Sequence, residues 1–366
     1  MKFPRLLALA AALSIAAGGA FVWLRRPELP LSVELATPSL ALAQLGAPAS
    51  SSASPSSIGR LFYTRSAAAF LPAPAEAAAR EKQVVEYETV LHDPKAWRAL
   101  DRRERFEALL LTGSPAEFRP LLDHLRQAPD WKLTYVDATS FIFRRTPAVE
   151  WTPAALGTLK ECFATHSRSE QVTMRVQTAH RLAAIGEYRP AKELLDEAEA
   201  LDVRSTAVWT ELASWHAAQG KWDESLEASE KAVKYGRNYP PALAAKANAL
   251  FAHGKFNDAL HLTRRLVEKA PEDGPTLYLH AKVTHAARAY AEEIETLQKI
   301  IAGAEARHMP TGTWRIFLAQ AYGATGEAEP ALEQFEKALK DPGLTERERS
   351  FAEKGIERIR SREPIL

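Results

Sequence analysis

Cysteine is almost absent from the sequence. Cys162 is the single thiol in 366 residues, so an intrachain disulfide and a multi-cysteine zinc or iron–sulfur site are excluded. It shares a helical face with Leu159 and Phe163 and reads as a small apolar residue rather than a reactive thiol. An excess of charge is also missing: 47 Lys and Arg stand against 46 Asp and Glu, for a net charge of +1. Nucleic-acid binding rests on a basic surface that neutralises phosphates, and neither the balance nor any Lys/Arg run supplies one. Catalytic signatures are lacking too, with no G-x-S-x-G, G-x-x-x-x-G-K-[ST], H-E-x-x-H or C-x-x-C. The ten histidines are scattered. His280 and His285 stand five apart, so they do not share a helical face as a metal pair would, and they read with His253 and His261 as surface or groove residues. No catalytic residue, metal, cofactor or small-molecule substrate is therefore expected.

Against these absences stands one long apolar run. Leu6 to Leu24 carries no charge over 19 residues, with Lys2 and Arg5 before it and Arg25 and Arg26 after it. As a helix it would be roughly 28 Å long, close to the hydrocarbon thickness of a bilayer. Residues 1–26 are read as a signal anchor. A cleaved signal peptide, with Gly18 and Ala20 at the cleavage positions, is the alternative, but Phe21 to Leu24 continue the apolar run past that cut. Trp23 sits where an interfacial aromatic belongs. The flanking charges lean towards an inside N-terminus and an extracytoplasmic, periplasmic body, or a secreted one after cleavage. Residues 27–72, including Ala47 to Ser57 (APASSSASPSS), bury too little apolar surface to order themselves and are expected to be a flexible tether.

Residues 73–147 read as a helix followed by a small β-α-β-β unit. The helix is placed at Ala75 to Leu91 and ended by His92-Asp93-Pro94. Phe106 to Leu111 is a short apolar run. Pro115 to Gln127 repeats apolar residues at helical spacing behind Ser114 as N-cap. Trp131 to Val136 and Ser140 to Phe143 are β-rich segments around an Asp137-Ala138-Thr139 turn, where Asp137 bonds its own backbone. Residues 95–145, above all PDWKLTYVDATSFIFRR (Pro129 to Arg145), resemble the soluble tail segment of bacterial polyprenol-linked mannosyltransferase-like membrane proteins. That resemblance implies an extracytoplasmic body and carries no catalytic motif.

Glycines Gly186, Gly220 and Gly254 recur every 34 residues; the period continues at Arg288 and, after a four-residue insertion, at Gly326. Blocks accordingly begin at Val172, Thr206, Pro240, Gly274 and Gly312. Position 8 is Ala179, Ala213, Ala247, Ala281 and Ala319, small enough for two helices to cross closely. Position 17 is Tyr188, Trp222, Phe256 and Tyr290, with Ala328 the exception, and is expected to fill the wedge beside the turn. Position 20 is Ala191, Ser225, Ala259 and Ala331, with Glu293 as the departure; position 27 is apolar throughout (Ala198, Ala232, Leu266, Ile300, Ala338). Arg288 at the glycine position and Lys246 at position 7 also depart. The 172–345 stretch thus resembles the tetratricopeptide repeat (TPR) family, whose period and helix–turn–helix unit these are. The resemblance implies a mainly α, right-handed helical solenoid. Residues 148–171, with a helix over Thr152 to His166, and 346–366, with Phe351, Ile356 and Ile359 as an apolar stripe, are expected to cap it.

Positions 2, 5, 9 and 12 fall on one face of each first helix. The resemblance implies that this face lines a concave groove for a protein or peptide partner. It includes His180, Ser214, Asn248, Phe251, Tyr278, Lys282, His285 and Gln320, with Val176 and Ile316, and is bordered by Gln177 and Glu211 at position 6. The expected function is a membrane-tethered, non-catalytic scaffold that binds its partner there. The alternative is an accessory subunit of an envelope glycosyltransferase or export complex, docking through residues 95–147.

Overall fold

A computed structural model describes residues 61–63, 89–306, 309–341 and 343–361. The anchor expected at Leu6 to Leu24, the tether up to residue 60 and nearly all of the helix expected at Ala75 to Leu91 lie outside them. Among the described residues no helix is long and apolar enough to cross a membrane. The chain divides into two compact units, Met1–Glu211 and Leu212–Leu366.

In the first unit the apolar segments of the middle region pair into an antiparallel sheet. Strands β1 (Leu61–Tyr63), β2 (Ala108–Thr112), β3 (Trp131–Val136) and β4 (Ser140–Arg145) lie in the order β1-β2-β4-β3. β1 pairs Leu61 with Leu110, which corrects the expectation of tether throughout 27–72. A second correction concerns Pro94. It opens helix α1 (Pro94–Glu104), with the Asp93 carboxylate accepting from Lys95 N at 2.8 Å. A proline in the first turn gives up only an N–H that has no helical partner anyway, so the same residue that stops one helix starts the next. Trp97 of α1 is fully buried and stacks on Phe106 at 5.7 Å. Ser114 makes no capping bond; a 3-10 turn over Pro115–Phe118 comes first, and helix α2 spans Arg119–Gln127. Leu121, Leu122 and Leu125 of α2, with Leu109, Leu111, Phe141 and Phe143 of the sheet, are buried.

Asp137 is the turn residue expected. Its Oδ1 accepts from Thr139 N at 2.7 Å and Ser140 N at 2.8 Å, and its Oδ2 from the Tyr135 hydroxyl at 2.9 Å. A 3-10 turn at Pro153–Ala155 leads into α3 (Leu156–Ala164), shorter than the capping helix expected. Helix α4 (Arg168–Ala184) starts four residues before the first block, because Ser167 and Glu170 form a reciprocal capping box there. It packs on α5 (Tyr188–Leu201). Arg181 Nη2 donates to Thr139 O at 2.6 Å and Arg119 Nη1 to Ala184 O at 3.0 Å, which fasten the sheet module to this helix pair.

The later helices begin where the period places them: α6 (Thr206–Ala217), α7 (Trp222–Tyr235), α8 (Pro240–Ala252), α9 (Phe256–Lys269), α10 (Gly274–Ala286), α11 (Tyr290–Glu305), α12 (Gly312–Thr325) and α13 (Ala328–Leu339). In the second unit each helix from α7 onwards packs on the next. The turn position is left-handed in every block: Gly186, Gly220, Gly254 and Gly326 have φ of 81°, 71°, 71° and 85°, and Arg288 has 58°. Only glycine adopts that conformation without a Cβ clash. The alanines of position 8 are buried, as are all five residues of position 20, Glu293 included. Trp222 is 39% exposed, so it does not fill the wedge expected of position 17.

Helix α14 (Glu346–Ser361) closes the second unit. Its buried face is Ala352, Gly355 and Ile356, whereas Phe351 is 43% exposed. Of the expected stripe, Ile356 is buried and Ile359 packs against the same core, while Phe351 lies at its edge, 6.4 Å from the Phe335 ring; Gly355 lets the helix sit directly against that ring.

Candidate functional site

The residues expected in the groove are carried by the first helices of the repeats, and their surroundings differ from one helix to the next. In the first unit the structure joins His180 and Glu211. His180 Nδ1 lies 3.0 and 3.1 Å from the two Glu211 carboxylate oxygens. That hydrogen bond holds the imidazole above its ordinary pKa of 6.5, against the opposing effect of burial. Gln177 is half-buried beside them on α4, and Val176 is buried, so Val176 offers no groove surface.

In the second unit Phe251, Tyr278 and Lys282 come together. The Lys282 ammonium lies 4.7 Å from the Phe251 ring centroid on α8 and 6.0 Å from that of Tyr278, one turn earlier on its own helix α10. Tyr278 meets Trp314 of α12 edge-on at 5.8 Å, and Trp314 lies 6.3 Å from Phe317. Tyr278 is 52% and Phe317 42% exposed. Phe251 is braced from behind by Phe256 at 5.5 Å. Asn248, one turn before Phe251, is exposed and donates to Ala244 O at 3.1 Å, which holds its amide on this face. Ser214 is exposed on α6, and Gln320 is half-buried on α12.

Trp314 and Phe317 lie outside the set expected from the sequence. The four-residue insertion before the fifth block is taken up partly by α11, which has 16 residues where α5, α7 and α9 have 14. Ile316, expected in the groove, is buried like Val176 at the same position of the first block, and Phe317 beside it is exposed. A tryptophan and a phenylalanine three apart at the head of that helix are the signal the sequence offers for them.

His285 lies one turn beyond Lys282. Its Nδ1 lies at hydrogen-bond distance, 3.0 Å, from Glu293 Oε1. Glu293 is 2% exposed, and its Oε2 has no hydrogen-bond partner among the described residues. Burial pushes the carboxyl up from its ordinary pKa of 4.5, while His285 pulls it down. The departure at position 20 is therefore a buried acid held by the half-exposed His285. His280 is not a surface or groove residue: it is buried, its Nδ1 is 2.9 Å from Thr263 Oγ1, and burial lowers its pKa. Among the described residues no three His, Cys, Asp or Glu side chains are grouped to hold a metal.

A second concavity of about 780 Å³ lies in the first unit, lined by Glu107, Thr134, Arg144 and residues 146–152 among others. Its neighbour Arg145 is already taken by Asp101 at 2.5 Å and Asp130 at 2.8 Å.

Residues 216–283 match the tetratricopeptide repeat family. The match covers parts of the repeats that hold Asn248, Phe251, Tyr278 and Lys282. Solved TPR structures are similar to the chain as well. YrrB, described as a TPR protein with an unusual peptide-binding site, is 16% identical and aligns over 56% of this chain and 100% of its own, with a TM-score of 0.45. TTC0263, a thermophilic TPR protein of Thermus thermophilus, is 19% identical over 49% of this chain and 96% of its own, with a TM-score of 0.37. MamA (41-end) from Desulfovibrio magneticus RS-1 is 18% identical over 46% and 93%, with a TM-score of 0.41. No curated protein matches the chain. The likeness of residues 95–145 to a mannosyltransferase tail segment finds no counterpart in these comparisons.

Proposed function

We propose that the protein is a membrane-tethered, non-catalytic scaffold that recruits a peptide or partner protein through the first-helix face of its second unit. The observation that carries this reading is the cluster of Phe251, Tyr278, Lys282, Trp314 and Phe317. Two of its rings are largely open to solvent, and a cation lies against the cluster. Exposed, contiguous aromatic surface of this kind is characteristic of interaction sites, because a folded chain gains nothing by leaving it in water. The TPR match over 216–283 supports the same reading, since the repeat is an interaction module. The tether is the apolar run Leu6 to Leu24, and the charges that flank it favour an extracytoplasmic body.

The test is a crosslinked pull-down of the full-length protein from its native membranes, beside a variant with Asn248, Tyr278 and Lys282 changed to Ala. A partner enriched by the wild type and lost by a folded variant is the expected result. The same partner retained by the variant would move recognition to the sheet module of the first unit.

A further inference from the structure

Lys282 is half-buried against two rings, whereas Lys221 and Lys234 are exposed and lie over one ring each. Lys246 pairs with Glu230 at 3.4 Å, and Arg264 and Arg315 pair with Glu292 and Glu305. Lys282 has two aromatic rings and, among the described residues, no carboxylate. The sequence around it keeps acids away: no Asp or Glu occupies position 2, 5, 9 or 12 of the blocks that begin at Pro240, Gly274 and Gly312. A half-buried ammonium walled by rings is poorly hydrated on two sides. An incoming carboxylate therefore meets a stronger field than on an open surface.

From this we infer that the partner offers an extended segment in which a side-chain carboxylate meets Lys282 and an apolar side chain two residues away packs on Tyr278, Trp314 and Phe317. The inference rests on the groove reading above and names the chemistry that reading leaves open. Its register comes from distance. An extended chain advances about 3.3 Å per residue and points alternate side chains to one face, so residues i and i+2 reach sites roughly 6.6 Å apart. The step from the cation to the rings is of that size: the Lys282 ammonium lies 6.0 Å from the Tyr278 ring, which packs edge-on against Trp314. The recognised pattern is acid–x–aromatic or acid–x–aliphatic, within a chain and independent of a free C-terminus. His285, one turn from Lys282 with Nδ1 held by Glu293, directs its other ring nitrogen away from that bond as a further polar contact.

The experiment pans a random dodecapeptide display library against full-length protein in detergent, against Lys282→Gln, and against Phe251→Ala/Tyr278→Ala. Enriched peptides are then made with amidated C-termini and titrated by fluorescence anisotropy. The wild type should enrich peptides with Asp or Glu two residues from an aromatic or aliphatic residue. Lys282→Gln should weaken those peptides tenfold or more, and so should Asp→Asn or Glu→Gln in the peptide. The two changes together should weaken binding no further than either alone, and Lys282→Arg should restore part of it. Peptides enriched without acidic bias, or bound equally by Lys282→Gln, overturn the acidic-segment assignment while leaving the groove in place. The same peptides enriched by Phe251→Ala/Tyr278→Ala sink the groove reading itself, and a library from which nothing is enriched sinks both. If Lys282→Gln instead changes the sedimentation of the protein alone, the occupant is a second copy and the assignment also fails. Circular dichroism of each variant confirms that it is folded.

Discussion

Arg288 takes a left-handed backbone, φ 58°, at the turn where four other repeats place glycine. A Cβ in that region costs about 1–2 kcal/mol. Arg288→Gly should therefore stabilise the protein by about 1 kcal/mol, read as a rise of about 2–4 °C in thermal denaturation. Glu293 is a second local departure. Burial raises its pKa, so the penalty is fully present at pH values above its folded pKa, where the carboxylate is ionised. The penalty vanishes below the ordinary value of 4.5, where both states carry the proton. Four repeats hold a buried Ala or Ser at this position, and replacing a buried ionic pair by apolar packing is often stabilising by about 1–4 kcal/mol. Glu293→Ala should raise the melting temperature at pH 7, with the gain shrinking towards pH 4; melting curves across that range check it. His285, its partner, is half exposed and loses little when left to water. The oddity of Glu293 is legible in its column. Its partner is not, because His285 lies on the preceding helix across the turn and no periodicity links the two.

Individual helices explain what periodicity reveals and what it hides. The starts of α6, α8, α10 and α12 are legible because small residues recur wherever helices cross or turn, and close packing tolerates nothing larger there. Helix α1 is hidden because Pro94 serves a helix start as well as a helix end. Strand β1 is hidden because three residues carry no period. The groove is half legible: Phe251, Tyr278 and Lys282 stand at the expected positions, but Trp314 and Phe317 occupy positions 3 and 6 of their block, where no earlier block carries an aromatic residue. The cap is legible in Ile356 and Ile359, which pack in its core, while Phe351 is left half exposed at the edge of the Phe335 ring. A Cβ added at Gly355 would fall 2.6 Å from the Phe335 ring. Although alanine is the better helix former, Gly355→Ala should destabilise by about 1–3 kcal/mol through overpacking. Chemical denaturation should show the midpoint falling with an unchanged slope.

The whole molecule joins a repeat module, a small sheet module and an apolar N-terminal run in one chain. The N-terminal segment makes its own prediction. Full-length protein should stay in the membrane pellet after alkaline carbonate extraction, while residues 27–366 expressed alone should move to the supernatant. Full-length protein found in the supernatant would remove the tether from the account and leave the groove untouched. The central claim is that the exposed aromatic–cation face of the second unit is where a partner docks. A photoreactive phenylalanine analogue placed at Tyr278 in cells tests it most directly, with Tyr235, exposed on the second helix of its repeat, as the comparison site. Light-dependent adducts to one protein from position 278, and none from position 235, are the predicted result. Adducts from position 235 alone, or from neither site, would contradict it.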